Sequence, residues 1–444
     1  MSPSKSVARQ TMSPFSSPAW DLQPPQESSL GDHDVPQLGQ HLRGRSVLLM
    51  VCGGIAAMKA PLIARALRKY GAQVTAMVSR EALRYVTEDA LSWSCDRAVI
   101  TDLSARAEHL GDGAHFDAYL IAPATYNTIN KCAQGIADGA LTATLASALG
   151  RVERGKAQLL IAPTMHGSMH NSILTSSLKR LEDLGARVIP PREAYGKHNI
   201  PSERALVWEV ARSLSESPLR GKGVLVTGGP TPVRLDGVRR LTNKFTGRLA
   251  IEIAEALHLR GARVKLLLGA GSVTPPAELG PYTERAVDFD AYLARTLELS
   301  AHPDCAAGVF SAAVADYAPQ VAVEGKMKSG QPQLTLHLRP TPKVIDEVRR
   351  AAPSLKMVTF KYQEGVTHEE LMEIVTPRLE RFEAVFANRG EERGAQGAQV
   401  GWLCVSGQPP ARLEGKPHIA QGIADELERR YANTANCDSE DRDA

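Results

Sequence analysis

The sequence lacks most of the features that assign a function class at a glance. Its six cysteines, at positions 52, 95, 132, 305, 404 and 437, are scattered through 444 residues, with no C-x-x-C pair and no H-E-x-x-H. That excludes a disulfide framework and a zinc site of the usual spacing, and it points to a reducing, cytoplasmic setting. No apolar run is as long as a membrane-crossing helix requires, and the first residues lack the apolar stretch of a secretory signal. Charge is close to balance, 52 Lys and Arg against 49 Asp and Glu, without a basic block. Nucleic-acid binding is therefore not expected as the main task. Aromatics amount to only 5% of the chain, and no G-x-G-x-x-G is present, so the ordinary dinucleotide fingerprint is missing.

What is present is length, glycine and alternation. At roughly 150 residues per domain, the chain is long enough for two or three domains. Residues 1–44 hold fourteen Ser or Pro and no periodic apolar pattern, so they are expected to form a disordered leader. Residues 433–444, rich in acid, are expected to be a disordered tail. Between them, apolar runs at Ser46–Val51, Gln73–Val78, Phe116–Ala122 and Ala157–Ala162 read as strands buried on both faces. Helical stretches run to Tyr70 and from Thr128 to Leu149. A fresh strand follows Pro218 and Gly221 at Gly223–Thr227, then a helix at Arg248–Leu259 and a strand at Arg263–Leu268. The pattern predicts an α/β chain with two doubly wound parallel-sheet domains in tandem, at 45–217 and 218–432.

Chemistry-bearing residues gather after the strands. Cys52-Gly53-Gly54-Ile55 follows the first strand, where glycines let backbone approach a phosphate or close a tight turn. Ala122-Pro-Ala-Thr-Tyr-Asn-Thr128 ends another strand and offers Thr125, Asn127 and Thr128 as neutral hydrogen-bonding groups beside apolar walls. A helix cap accounts for one of these, hardly for all three. His109 and His115 precede a strand and could carry a proton near neutral pH. In the second half, Gly228-Gly229-Pro230-Thr231, Arg239 through Gly247, Ser311 through Tyr317 and Lys326-Met327-Lys328 bring glycines, cations and an amide into one order. Cations with backbone donors suit phosphate groups.

In that order, the strings GGIAAMK, APATYNT with GIAD, GGPT…VRRLTNKFTGR, AAVADY and KMK resemble the bifunctional phosphopantothenoylcysteine decarboxylase/phosphopantothenate–cysteine ligase family of coenzyme A biosynthesis. The resemblance extends from about Gly44 to Tyr431 and lies closer to the archaeal-type pattern. It implies a flavodoxin-like first domain binding FMN, with Gly54, Ile55, Ser79, Ala124, Thr125 and Met165 along the flavin, and His109 and Asn127 as catalytic residues. For the Rossmann-like second domain it implies a ligase that activates 4'-phosphopantothenate with CTP before cysteine attacks. There Arg239, Asn243 and Lys326 match catalytic positions. Asp316, Lys326, Thr341, Pro342, Lys343, Val344 and Phe360 match the nucleotide-binding ones. Mg²⁺ is expected with the triphosphate, its ligands unassigned. The resemblance also implies a homo-oligomer with flavin sites shared between subunits, acting on small molecules rather than on nucleic acid or membrane.

The chain departs from the family's bacterial pattern in places. Where that pattern has a cysteine in a clamp over the substrate, this chain reads Ala194-Tyr195-Gly196-Lys197-His198. Pro163-Thr-Met-His166 and Met169-His170 replace the usual Pro-x-Met-Asn and Met-Trp. Cys132, just after the flavin-type strand end, is a candidate to replace the missing cysteine as proton donor. Two lysines of bacterial ligases fall on Thr376 and Glu380, with Arg378 and Arg381 beside them. Three outcomes follow for function: the complete two-step enzyme, a related flavin decarboxylase/ligase with altered product or substrate, or a non-catalytic regulatory flavoprotein.

Overall fold

Alternation along the chain becomes layering in the computed structural model, which describes residues 20, 22–110, 115–328, 330 and 332–440, the last eight as backbone. In the first half, strands β1 (Ser46–Val51), β2 (Gln73–Val78), β3 (Ala118–Ala124), β4 (Gln158–Pro163) and a short β6 (Arg187–Val188) form a parallel sheet ordered β2-β1-β3-β4-β6. Every residue of β3 is buried, as a central parallel strand with helices on both faces must be. Helices α1 (Ala60–Arg68), α2 (Glu88–Cys95), α3 (Tyr126–Gln134), α4 (Ala140–Val152) and α5 (Ser172–Asp183) flank it. The remaining strands, β5 (Met165–His166), β7 (Arg192–Ala194) and β8 (Lys197–Asn199), make a small antiparallel sheet ordered β5-β8-β7 at the carboxyl edge.

Helix α6 (Glu203–Leu214) joins the halves. Ser202 caps it by accepting from the Ala205 amide at 3.0 Å. Its buried residues, Leu206, Val207, Trp208, Val210, Ala211 and Ser213, cover more than one face. It packs on α1 and on α7 (Arg248–Leu259) of the second half, so one hydrophobic cluster runs through both halves.

The second half carries an eight-stranded sheet. Six of its strands, β9 (Gly223–Gly228), β12 (Arg263–Gly269), β13 (Thr283–Ala286), β14 (Cys305–Phe310), β17 (Lys356–Gln363) and β18 (Ala384–Arg389), are parallel. An antiparallel pair, β19 (Val400–Cys404) and β20 (Ala411–Glu414), extends one edge. Two ribbons, β10 (Val233–Arg234) with β11 (Arg240–Leu241) and β15 (Tyr317–Pro319) with β16 (Leu338–Pro340), stand over the carboxyl ends. Helices α8 (Phe289–Ser300), α9 (Val344–Ala351), α10 (His368–Val375) and α11 (Lys416–Glu440) complete the layers.

Three expectations change. The single helix expected from Thr128 to Leu149 is two, α3 and α4. Gly135, at φ 71°, closes α3 in the left-handed conformation that glycine tolerates best. The expected leader is part of the first domain at its end: Leu42 is fully buried in the core, and the Leu38 and Leu42 amides donate to Lys69 and Tyr70 carbonyls. Apolar side chains without periodicity hide this docking from a pattern search; residues 1–19 and 21 lie outside the described residues. Of the expected tail, residues 433–440 continue α11, because its helical register does not stop where the apolar face ends; residues 441–444 lie outside the described residues.

Candidate active sites

The carboxyl ends of β1, β3 and β4 open into a cavity of about 1240 Å³. Its wall holds Gly54 and Ile55 after β1, Ser79 after β2, Thr125 and Asn127 after β3, and Met165 after β4. Six residues far apart in sequence thus meet because parallel strands all point one way. Gly53 is the enforced glycine of the turn: a Cβ there would stand 2.3 Å from the Glu81 Cβ, whereas one on Gly54 would meet only Thr125 Cγ2 at 3.6 Å. Thr125 caps α3, its hydroxyl accepting from the Thr128 amide at 3.4 Å, and Asn127 stays exposed on the wall.

Two expected residues stand elsewhere. Ala124 is fully buried behind the wall, and its carbonyl accepts from the Thr164 amide at 2.9 Å, tying the β3 and β4 ends together. His109 does not line the cavity of its own chain; it lies in the loop before β3, its Nδ1 buried without a hydrogen-bond partner. Cys132 is buried, its thiol is pushed up to about 12 by that burial and so stays protonated near neutrality, and it is not among the residues that line the cavity. The clamp tyrosine, Tyr195, sits at the β7–β8 tip at φ 55° and is 93% exposed.

Other wall residues escaped the motif search. The break between α3 and α4 brings Asp138, Gly139 and Thr142 to the cavity, with Lys131 bonded to Asp138 at 2.6 Å; this bond first of all holds the Asp138 carboxyl below its usual range. The β5-β8-β7 sheet overhangs it with His166, Arg192, Lys197 and His198. The GIAD and AYGKH strings were the available signal, yet neither shows which of its residues face inward.

In the second half, the β9 turn and its neighbours interlock through glycine. A Cβ on Gly229 (φ 78°) would lie 1.8 Å from Ser272 Oγ, and one on Gly269 1.7 Å from the Pro230 carbonyl oxygen. Asn243 donates to the Ala313 carbonyl at 3.0 Å, and Ala313 donates back to Gly229. The organiser, missed in the sequence, is Asp236. Its buried carboxylate accepts from the amides of Val238 (2.8 Å), Arg239 (2.6 Å) and Met327 (3.0 Å), and pairs with the Arg239 guanidinium at 2.9 Å. Burial alone would raise its pKa, but these four partners outweigh it and hold the carboxyl at about 2. Arg239 and the Lys326 loop are thereby drawn together, while Lys326 stays exposed.

Asp316 pairs with Lys343, and its carbonyl accepts from the Thr341 amide at 2.9 Å. Pro342 and Lys343 are exposed beside them. Val344, in contrast, turns its side chain into the core, 3% exposed, which is where α9 begins. Phe360 is half-buried against Phe386, ring centroids 5.2 Å apart. Lys361, unnoticed in the sequence, stands among these groups. Burial lowers its pKa first, then Arg378; Asp316 opposes them. Arg381 is paired with Asp346 at 2.8 Å.

Fold and sites define a two-domain α/β enzyme with a ligand cavity at one sheet edge and cation-bearing loops at the other. Family comparison gives the domains: residues 36–215 match the Flavoprotein family, and residues 219–430 match the DNA/pantothenate metabolism flavoprotein C-terminal domain. The coenzyme A biosynthesis bifunctional protein CoaBC of Thermococcus kodakarensis is 32% identical over 395 residues, 87% of this chain and 96% of its own length. The CoaBC protein of Bacillus subtilis is 30% identical, over 80% of this chain and 88% of its own length. A cysteine/cysteine sulfinic acid decarboxylase from an unknown prokaryotic organism is 32% identical over 54% of this chain and 67% of its own. The chain belongs to the CoaBC family of bifunctional coenzyme A biosynthesis enzymes, with a flavoprotein decarboxylase half followed by a ligase half. Among the described residues, no helix is long and apolar enough to cross a membrane.

Proposed function

We propose that the second half joins cysteine to 4'-phosphopantothenate at the expense of CTP, and that the first decarboxylates the product to 4'-phosphopantetheine with FMN. The observation that carries this reading is the cavity. Its volume of about 1240 Å³ exceeds the ~300–1,000 Å³ that one small ligand usually fills, leaving room for a flavin and an acylcysteine together. The wall chemistry fits a flavin: an open glycine turn at Gly54, apolar contacts from Ile55 and Met165, and neutral hydrogen-bonding groups at Ser79, Thr125 and Thr128. Bound FMN would supply the reversible two-electron chemistry that makes the carboxylate easy to lose. Asn127 then holds the substrate carboxylate on the exposed wall. Ala124 supports the wall from behind. His109, outside its own chain's cavity, serves a site only across a contact between copies, which accords with a homo-oligomer.

In the ligase, Arg239 and Asn243 hold the activated carboxylate and phosphate, and Lys326 neutralises charge during transfer. The nucleotide lies along Asp316, Thr341 to Lys343 and Phe360, with Val344 contributing backbone alone. Lys361 and Arg378 supply positive charge that Thr376 and Glu380 do not. Mg²⁺ travels with the triphosphate; among the described residues no group of three acidic, histidine or cysteine side chains could hold a metal ion, which suits an ion held largely by phosphate and water. The five described cysteines are free thiols, in keeping with a reducing cytoplasm.

Purified protein supplied with 4'-phosphopantothenate, cysteine, CTP and Mg²⁺ is expected to be yellow and to yield 4'-phosphopantetheine by mass spectrometry. Well-folded protein that forms no phosphopantothenoylcysteine overturns the reading. A second reading, a different cysteine derivative or an unreduced product, is favoured by the outward-turned Tyr195. It predicts a product two hydrogens lighter, or decarboxylation of free cysteine.

A further inference from the structure

Five lysine and arginine side chains line the cavity of the first half: Lys59, Arg80, Lys131, Arg192 and Lys197. Three are held in ion pairs, Lys59 with Glu203 at 3.3 Å, Arg80 with Asp102 at 3.1 Å and Lys131 with Asp138 at 2.6 Å. The Arg192 and Lys197 side chains are exposed and have no carboxylate or hydrogen-bond partner among the described residues. One unpaired cation is ordinary on an open surface, where water serves it. Two on the small sheet that overhangs a cavity, whose other lysines and arginines are all paired, leave uncompensated positive charge beside the space a ligand fills.

Strand register decides what shares that charge. Across β7 and β8, Ala194 pairs with Lys197 and Arg192 with Asn199; across β8 and β5, Lys197 pairs with His166. Side chains alternate along a strand, so Arg192, Lys197, Asn199 and His166 share one face, and Met165, His198 and Glu193 share the other. The one carboxylate of this sheet, Glu193, is thereby kept from the two cations, and its partner is His198 at 3.6 Å. Arg192 and Lys197 are diagonal neighbours, roughly 7–8 Å apart at the backbone, which long side chains can close upon a single group. A planar fork of donors beside a mobile ammonium suits a phosphate monoester.

The acylcysteine has two anionic ends, and the reaction decides which belongs here. Its carboxylate leaves as carbon dioxide, so an ion pair with it would be lost on the way to the transition state and would slow the step. Its phosphate takes no part, and contacts there hold the substrate without opposing the chemistry. The register agrees: Met165, the flavin-side residue, lies on the opposite face of the sheet from both cations. The glycine turn open to a cofactor phosphate follows β1, which β3 separates from β4 and the overhanging sheet beyond it. We infer that Arg192 and Lys197 bind the phosphate of the acylcysteine and make the first half selective for phosphorylated substrate; this rests on the flavin-dependent reading above.

Steady-state CO₂ release by the full-length, flavin-loaded protein tests this. The R192A/K197A double variant should raise the KM for phosphopantothenoylcysteine at least ~10-fold with kcat kept, the scale of one lost hydrogen bond between charged groups. Pantothenoylcysteine, with the same carboxylate and thiol and no phosphate, should be decarboxylated by wild type and double variant with equal kcat/KM. An unchanged KM for the phosphorylated substrate overturns the inference. So does a loss that falls on kcat, or one shared equally by both substrates, since the cations would then hold the carboxylate. A double variant that keeps its ligase rate but has lost its flavin also overturns it, because the phosphate held would be the cofactor's. Wild-type protein that holds no flavin, or that releases CO₂ from neither substrate, is a different result: it overturns the flavin reading, and this inference with it.

Discussion

Asp236 is reachable by no motif, yet four groups from two loops converge on its carboxylate. An unpaired charge at that depth would be untenable, so its value lies in what it holds: Arg239 and the backbone before Lys328, brought from opposite sides of the site. D236A should therefore lower ligase kcat/KM by at least ~10-fold, the scale of a misplaced reacting group. Decarboxylation of supplied phosphopantothenoylcysteine should stay unchanged, because the flavin cavity is built from the other half. Separate assays of the two half-reactions check this, and a parallel loss in both would refute it. Gly53 teaches the same lesson by what is missing, since only the absence of a Cβ lets the β1 and β2 ends close on each other at Glu81.

The element that makes one molecule of two halves is α6. An amphipathic helix on the surface of a domain buries one face; α6 buries residues around more of its circumference because α1 lies on one side and α7 on another. Trp208, 1% exposed, fills that space, with the His258 ring 5.3 Å away and the Arg204 guanidinium 4.7 Å over its own ring. W208A should cost about 3–5 kcal/mol. Because the cavity it leaves lies between the halves, unfolding followed by flavin absorbance and by circular dichroism should separate into two transitions. Coincident, unshifted transitions would show that α6 does not couple them.

Across the whole molecule, the contact between halves is where acid acts first. His258 is 2% exposed, and burial, then Arg212 and Arg187, lowers its pKa to about 3. Arg212 donates to its Nδ1 at 2.7 Å, so the folded ring is neutral. His41, in the docked segment before β1, is lowered to about 4 by burial and then by Arg260. Below the ordinary histidine value of 6.5 the unfolded chain binds these protons and the folded one does not, so stability falls as pH falls. For His258 the loss between pH 7 and 5 is about 2 kcal/mol. Burial pushes the Glu255 carboxyl up; as the folded chain then binds its proton first, this group works in the opposite direction. Urea midpoints measured from pH 8 to 5 should fall, and H258Q should flatten the curve. A midpoint unchanged across that range would contradict it.

Continuous apolar runs, glycine turns and strand-end polar groups were enough to determine the tandem α/β architecture and the segments that reach the ligand edge. Those signals are local: a strand buried on both faces, or a turn needing φ above zero, is written in a few neighbouring residues. Hence the strand-end places of Gly54, Thr125, Asn127 and Met165 could be read in advance, as could the loops bearing Arg239 and Lys326. Only the tertiary structure decided which members of those segments face inward. It turned Ala124 and Val344 into the core, left His109 outside its own chain's cavity and put Tyr195 in solvent. It also brought forward Lys361 and Asp236, whose partners lie up to 91 residues away along the chain. Hydrogen bonds and burial depend on distance in space, and no spacing in the chain encodes that directly.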